Sequence, residues 1–218
     1  MPNLERRYMG KIEITKKVLG ICATNCYTVV DTETKEALII DPADRADVLI
    51  RDWKDKGVTP QAVLLTHGHF DHIGALAGVK KEYPDIKVYA AAKEKEVMES
   101  PTLNLSSSFG AAFTAQADIY LEDGAEIEVL GRTCKCLLVP GHTKGGMCYY
   151  FPEENVVFTG DTLFCYSVGR TDFPTGDAKA LEEAIREKLF TLPDETLVLP
   201  GHDVQTMIGK EKKGNPYF

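Results

Sequence analysis

Apolar positions along this chain fall mainly into short runs bounded by turn residues, a pattern that predicts strands. Residues 11–18 and 24–30 are rich in β-branched side chains, and a polar turn at Thr32-Glu33-Thr34-Lys35 follows. Ala37-Leu38-Ile39-Ile40 then returns as a third strand, closed by Asp41-Pro42. The period changes to a helical one over residues 44–56, with Val48, Leu49 and Trp53 on one face and Gly57 past the end. Trp53 reads as core packing. Further on, residues 62–65 read as a buried strand, 73–82 as a helix, 87–90 as a strand and 93–99 as a short charged helix. Residues 101–118 have no clear period. A loop of that length in a compact domain is usually functional or mobile, so it is expected to cover a site. After Glu122-Asp123-Gly124, strands are expected over 126–130, 132–139, 147–151 and 156–158. An amphipathic helix over 178–190 and a strand over 197–199 follow. By composition alone, residues 209–218 read as a frayed tail. No linker or inserted module interrupts the series, so residues 1–218 are expected to form one α/β domain.

Composition narrows the classes of function. The chain has 218 residues, 44% of them apolar, and a formal net charge of −8. An acidic chain is a poor partner for nucleic acid, which needs clustered Lys and Arg. The first ten residues carry Glu5, Arg6 and Arg7 without an apolar core, which argues against a signal peptide. No apolar run approaches a membrane span. A cytoplasmic protein with reduced thiols is therefore expected. Cys134 and Cys136 share one strand face and read as core. Cys165, four residues after Asp161, reads as a buried thiol.

The chemistry lies in Thr66-His67-Gly68-His69-Phe70-Asp71-His72-Ile73-Gly74, which leaves the strand at 62–65. On an extended backbone His67 and His69 point the same way, whereas Asp71 and His72 come after a bend and can face a second point. The theme recurs downstream. Leu137-Leu138-Val139-Pro140-Gly141 leads into His142, Val156-Val157-Phe158-Thr159-Gly160 into Asp161, and Leu197-Val198-Leu199-Pro200-Gly201 into His202. All 5 histidines of the chain lie at these strand ends. Neutral imidazole and carboxylate suit zinc first, and also iron or manganese. The expected site holds two divalent metal ions. His67, His69 and His142 take one, and Asp71, His72 and His202 take the other. Asp161 bridges them, because a carboxylate has two acceptor oxygens. Asp71 and Asp161 are the carboxylates expected to take part in catalysis. Two cations would turn a shared water into a bridging hydroxide nucleophile near neutral pH.

These residues, in this order, resemble the metallo-β-lactamase fold superfamily. The resemblance covers nearly the whole chain and implies a four-layer αββα sandwich with the metals at one edge of two sheets. Pro140-Gly141-His142-Thr143, Gly160-Asp161-Thr162-Leu163-Phe164 and Gly169-Arg170-Thr171-Asp172-Phe173 are further similar to the glyoxalase II (hydroxyacylglutathione hydrolase) branch. Pro200-Gly201-His202, then Thr206, Gly209, Glu211, Asn215 and Pro216, resembles its short bacterial members, which implies an ordered terminus. The implied substrate is a small-molecule acyl thioester. The family's C-terminal glutathione-binding domain is expected to have no counterpart here, with sixteen residues following His202. In the loop before Phe173, Arg170 stands where the family has a glutathione-contacting Lys, and Asp172 stands at a Tyr position. Arg170 is thus a candidate for the substrate's anionic tail, with a salt bridge to Asp172 or Asp177 as the competing role. A persulfide dioxygenase also resembles the chain. It would use one iron at His67, His142 and Asp161, but its usual Tyr after the His-Asp pair is replaced here by Val204. The same hydroxide could attack a lactone or β-lactam.

Overall fold

The computed structural model of the chain describes residues 6–9 and 11–218. The first half forms β1 (Arg6–Met9), β2 (Ile12–Leu19), β3 (Thr24–Asp31), β4 (Glu36–Ile40), β5 (Thr59–Leu64), β6 (Lys87–Ala91) and β7 (Ile119–Leu121), side by side in that order in a 7-stranded sheet. β1 to β4 pair antiparallel and β4 to β7 parallel. Parallel neighbours need crossovers. These are α1 (Ala46–Asp55), then α2 (Phe70–Ile73) with α3 (Leu76–Glu82), then α4 (Lys95–Glu99) with the irregular stretch after it. The second half forms β8 (Glu126–Val129), β9 (Arg132–Leu138), β10 (Met147–Phe151), β11 (Val156–Gly160), a small separate hairpin of β12 (Leu163–Phe164) and β13 (Ser167–Val168), β14 (Leu197–Pro200) and β15 (Thr206–Met207). Its 6-stranded sheet runs β15-β14-β11-β10-β9-β8. The parallel step from β11 to β14 crosses over through α5 (Ala178–Ala184), which continues as a π-helical turn at Ile185–Leu189. α6 (Ile208–Gly214) follows β15.

Alternation along the strands produces the layers. Leu38 and Ile40 face Tyr149, Phe158 and Leu199 of the other sheet, in the core between the sheets. Ala37 and Ile39 face the other way, onto Leu49 and Trp53 of α1 and onto Leu76 and Val79 of α3. On the far side, Cys148, Val157 and Val198 pack under Leu181, Ile185, Leu189 and Ile208. Strands buried on both faces read as continuous apolar runs, which is why their period was faint. The fold is the expected αββα sandwich. No helix among the described residues is long and apolar enough to cross a membrane.

Several local expectations change. The helix expected over 73–82 is two pieces, because the Ala75 amide bonds to Pro42 O at 2.9 Å and docks the chain on the end of β4. The 101–118 stretch is pinned at its base. Wholly buried Asn104 donates to Met98 O and Phe113 O and accepts from the Ser106 amide. The C-terminal stretch folds into α6, with Glu211 buried and bonded to Thr206, Asn215 and the Tyr166 amide. Cys134 and Cys136 are core residues. Cys165 is only half-buried, with the Lys210 ammonium 3.7 Å from its sulfur, because the β12–β13 hairpin lifts it to the surface.

Candidate metal centre

Strand ends of both sheets deliver the chemically active side chains to one edge. β5 stops at Leu64. Past a bend at Thr66 the chain reaches His69, whose φ and ψ are −66° and 148°, and α2 begins at Phe70. His-x-His followed by one helical turn brings His67 and His69 to His142, and Asp71 and His72 to His202. β9 leads to His142, β11 to Asp161 and β14 to His202. Gly201 is needed where β14 ends: a Cβ there would stand 2.2 Å from Asp161 Oδ1 and 2.7 Å from His72 Cε1.

The residues singled out in the sequence do meet. His67, His69 and His142 bring ligand-type atoms within 4.8 Å of one another, as do Asp71, His72 and His202, and as do His67, His72 and Asp161. His69 Nδ1 lies 3.0 Å from His142 Nε2. Asp161 sits between the groups. Its Oδ2 is 3.6 Å from His142 Nε2 and 3.2 Å from His202 Nε2, and its Oδ1 is 3.3 Å from His72 Nε2. Asp71 Oδ2 lies 3.4 Å from His202 Nε2 and 3.6 Å from His72 Nε2.

A cation fits this arrangement. His67 Nε2 is buried with no hydrogen-bond partner, a condition that costs about 1–3 kcal/mol if nothing satisfies it, and His72 Nε2 and Asp161 Oδ1, 3.3 Å apart, are buried in the same cluster. The opposite ring nitrogens are tied down: His67 Nδ1 to Thr66 Oγ1 at 3.1 Å, His72 Nδ1 to Asp41 Oδ2 at 2.8 Å, His142 Nδ1 to Arg170 O at 2.7 Å. A proton fixed on Nδ1 leaves the Nε2 lone pair facing the cluster, as metal-binding imidazoles require.

The family model for the metallo-beta-lactamase superfamily matches residues 19–202. The chain belongs to that superfamily. It is 35% identical over 200 residues to the hydroxyacylglutathione hydrolase GloC of Haemophilus influenzae, covering 89% of this chain and 92% of that protein. Among solved structures it is similar to BLEG-1 B3 metallo-beta-lactamase, at 40% identity and a TM-score of 0.88 over 94% of this chain and 98% of the other. It is also similar to TTHA1623 in a di-iron-bound form, at 36% identity and a TM-score of 0.82 over 93% and 99% of the two chains. Superfamily membership and the His/Asp cluster together point to a metal-dependent enzyme that takes divalent metal.

Electrostatics divide the metallo-β-lactamase cluster in two. Burial, with the neighbouring imidazoles, pushes His67 well below its ordinary pKa, and burial with His142 pushes His69 to about 3. These rings are neutral, the form that ligates. For His72 and His202, burial also lowers the pKa, but the surrounding carboxylates outweigh it. Asp71, Asp161 and Asp41 raise His72 well above its ordinary value, and Asp161 and Asp71 raise His202 to about 9. In return, burial would raise both carboxyls, yet His72 and His202 hold Asp71 at about 2 and Asp161 well below the usual range. In the metal-free chain, then, protons on His72 and His202 balance the carboxylates.

Supporting residues were not foreseen. Asp41, wholly buried at the end of β4, accepts from the Thr66 amide at 2.7 Å, from Thr66 Oγ1 at 2.6 Å and from His72. Thr24 Oγ1 donates to Asp71 Oδ2 at 2.7 Å. Glu94 sits buried against the loops of His67–His69 and His142. A charged residue directly after an apolar strand was the available signal for Asp41, and it was taken only as a strand end. Arg170 is exposed. Its guanidinium forks onto Asp172 at 2.9 and 2.7 Å and lies 4.2 Å from the Phe173 ring centre, so of the two candidate salt bridges it makes the one to Asp172. Beside it opens a cleft of about 310 Å³ lined by Gly169, Arg170, Leu181, Ile185 and Phe218, among others.

Proposed function

We propose that the chain hydrolyses a small acyl thioester of the hydroxyacylglutathione kind, at a site for two divalent ions. His67, His69 and His142 would hold one ion, Asp71, His72 and His202 the other, with Asp161 between them. The observation that carries this reading is the convergence of unpartnered His67 Nε2 with the buried His72 and Asp161, all within 4.8 Å of one another, between two imidazole-rich groups. When bound, the ions supply Lewis acidity at the substrate carbonyl and an activated water. The rest falls to the chain. Thr24 fixes the Asp71 carboxylate, and Asp161 spans both groups. All 5 histidines are committed to the cluster, so none is free to protonate a leaving amine. A thiol with a pKa of about 8.5 leaves as the thiolate and needs no such proton, which favours thioesters over amides. The similarity to a hydroxyacylglutathione hydrolase points the same way. Zinc suits the donor set, and the di-iron form of a similar structure makes iron its direct competitor, with manganese behind.

Arg170 is the proposed contact for an anionic tail, but a tail must compete with Asp172 for it. Dependence on glutathione is accordingly modest. S-lactoylglutathione and simpler thioesters should fall within roughly tenfold in kcat/KM, about 1.4 kcal/mol in transition-state binding. Metal analysis and steady-state kinetics on matched thioesters, esters and a β-lactam test the reading. Two ions per chain with thioester turnover supports it. No thioester turnover with zinc, iron or manganese restored sinks it, and a single iron with oxygen uptake on a persulfide would establish the dioxygenase instead.

A further inference from the structure

The Glu94 carboxylate is wholly buried at the end of a short helical turn after β6, and the chemistry above gives it no task. Its hydrogen bonds are specific. Oε2 accepts from the Gly68 amide at 2.7 Å, and Oε1 from Thr143 Oγ1 at 2.6 Å and the Gly145 amide at 2.9 Å. Gly68 lies between His67 and His69, and Thr143 follows His142. One carboxylate thus joins the two loops that carry one histidine trio, across the seam between the sheets. The approach leaves no slack: a Cβ on Gly68 would stand 3.0 Å from Oε2, and a Cβ on Gly145 would stand 2.7 Å from Oε1. All three partners are donors, a demand that a carboxylate meets and an amide cannot. Packing alone would be served more cheaply by an apolar side chain, because burying a charge costs heavily unless every bond is made.

We propose that Glu94 is a positioning residue for His67, His69 and His142, acting on that metal position and not on the one formed by Asp71, His72 and His202. The inference rests on the two-ion reading. Its test is metal affinity rather than turnover. Glu94→Gln and, as a milder variant that keeps the carboxylate, Thr143→Val are each stripped of metal. They are checked for folding by thermal melting and titrated with zinc against a chromophoric chelator. One ion should weaken by about 10–100-fold in Glu94→Gln, the range for lost ligand-orienting bonds, and less in Thr143→Val, with the other ion within twofold of wild type. The position is assigned in two backgrounds. Glu94→Gln should still weaken the ion that remains in a His202→Ala chain and should leave unchanged the ion that remains in a His69→Ala chain. Unchanged affinities, or equal losses at both positions, would overturn the assignment. Where Glu94→Gln does not fold, Thr143→Val in the same backgrounds decides. A wild-type chain that takes up one ion would refute the two-ion reading by itself. Glu94 would then stand if the variants weaken that ion, and fall if they do not.

Discussion

Replacing Asp41 by Asn removes one charge and almost no volume, and the consequences can be followed atom by atom. Asp41 Oδ1 accepts from the Thr66 amide, and Oδ2 accepts from both Thr66 Oγ1 and His72 Nδ1. If the new amide nitrogen takes the Oδ1 place, it meets the Thr66 N–H, donor against donor. If it takes the Oδ2 place, the Thr66 hydroxyl can turn to accept, but His72 Nδ1 must give up its proton. The proton left on the ring then sits on Nε2, the atom that faces Asp161 and Asp71 and would hold an ion. Either outcome damages the His72 position. Asn is the better test than Ala, because the backbone here has φ of 48°, which Asn tolerates. One charge-assisted bond lost in the interior costs about 1.5–3 kcal/mol, against a total of about 5–15 kcal/mol for a typical domain, so the variant should fold. Affinity for the ion at Asp71, His72 and His202 should drop about 10–100-fold. Urea unfolding of the metal-free chain measures the first effect, and chelator competition measures the second. An Asp41→Asn chain that keeps that ion at wild-type affinity would refute the tautomer argument.

Other outcomes follow from the same geometry. Asp71→Ala should cost that same ion and most thioester hydrolysis while the metal-free chain keeps its melting temperature within a few degrees; full activity with two ions bound would remove Asp71 from the site. Zinc uptake should release protons at pH 7.5, because His202, raised to about 9, and His72 carry protons in the metal-free chain. Calorimetry in two buffers of different ionisation enthalpy reads this, and release near zero would contradict it. With the pKa raised from 6.5 to about 9, the His202 contribution to stability of the metal-free chain is whole below pH 6.5 and lost as pH rises through 9, which urea titration at pH 6 and pH 10 detects. Amide exchange should be fast across the exposed tip at residues 110–112 and slow at Asn104 and Ser106; uniform protection would make the whole stretch rigid.

Much of the fold was legible because strand ends and metal-type residues coincide. A Gly-containing break after an apolar run, then His or Asp, marks the end of β9, β11 and β14 in the sequence itself. Element type was readable from the helical period along α1 and from the β-branched runs of β2 and β3. The short β7, β12, β13 and β15 were missed, since two or three residues carry no period and their pairing depends on neighbours distant in sequence. The supporting carboxylates were missed for a related reason. Glu94 lies in Lys93-Glu94-Lys95-Glu96, where charge suggests solvent, and only the approach of two distant loops buries it. For Arg170 a salt bridge to Asp172 or Asp177 was legible, and side-chain geometry selects Asp172.

The two sheets divide the chain near residue 122, and so do the members of the metal cluster. His67, His69, Asp71 and His72 come from the first half, and His142, Asp161 and His202 from the second. Each of the two groups draws on both halves, so neither half can complete a group alone. An ion there would act as a reversible rivet through the sandwich. By mass action, one held at a hundred times its dissociation constant adds about 2.7 kcal/mol against separation of the halves. Metal supply would then govern not only turnover but the margin by which the folded chain resists opening along its seam.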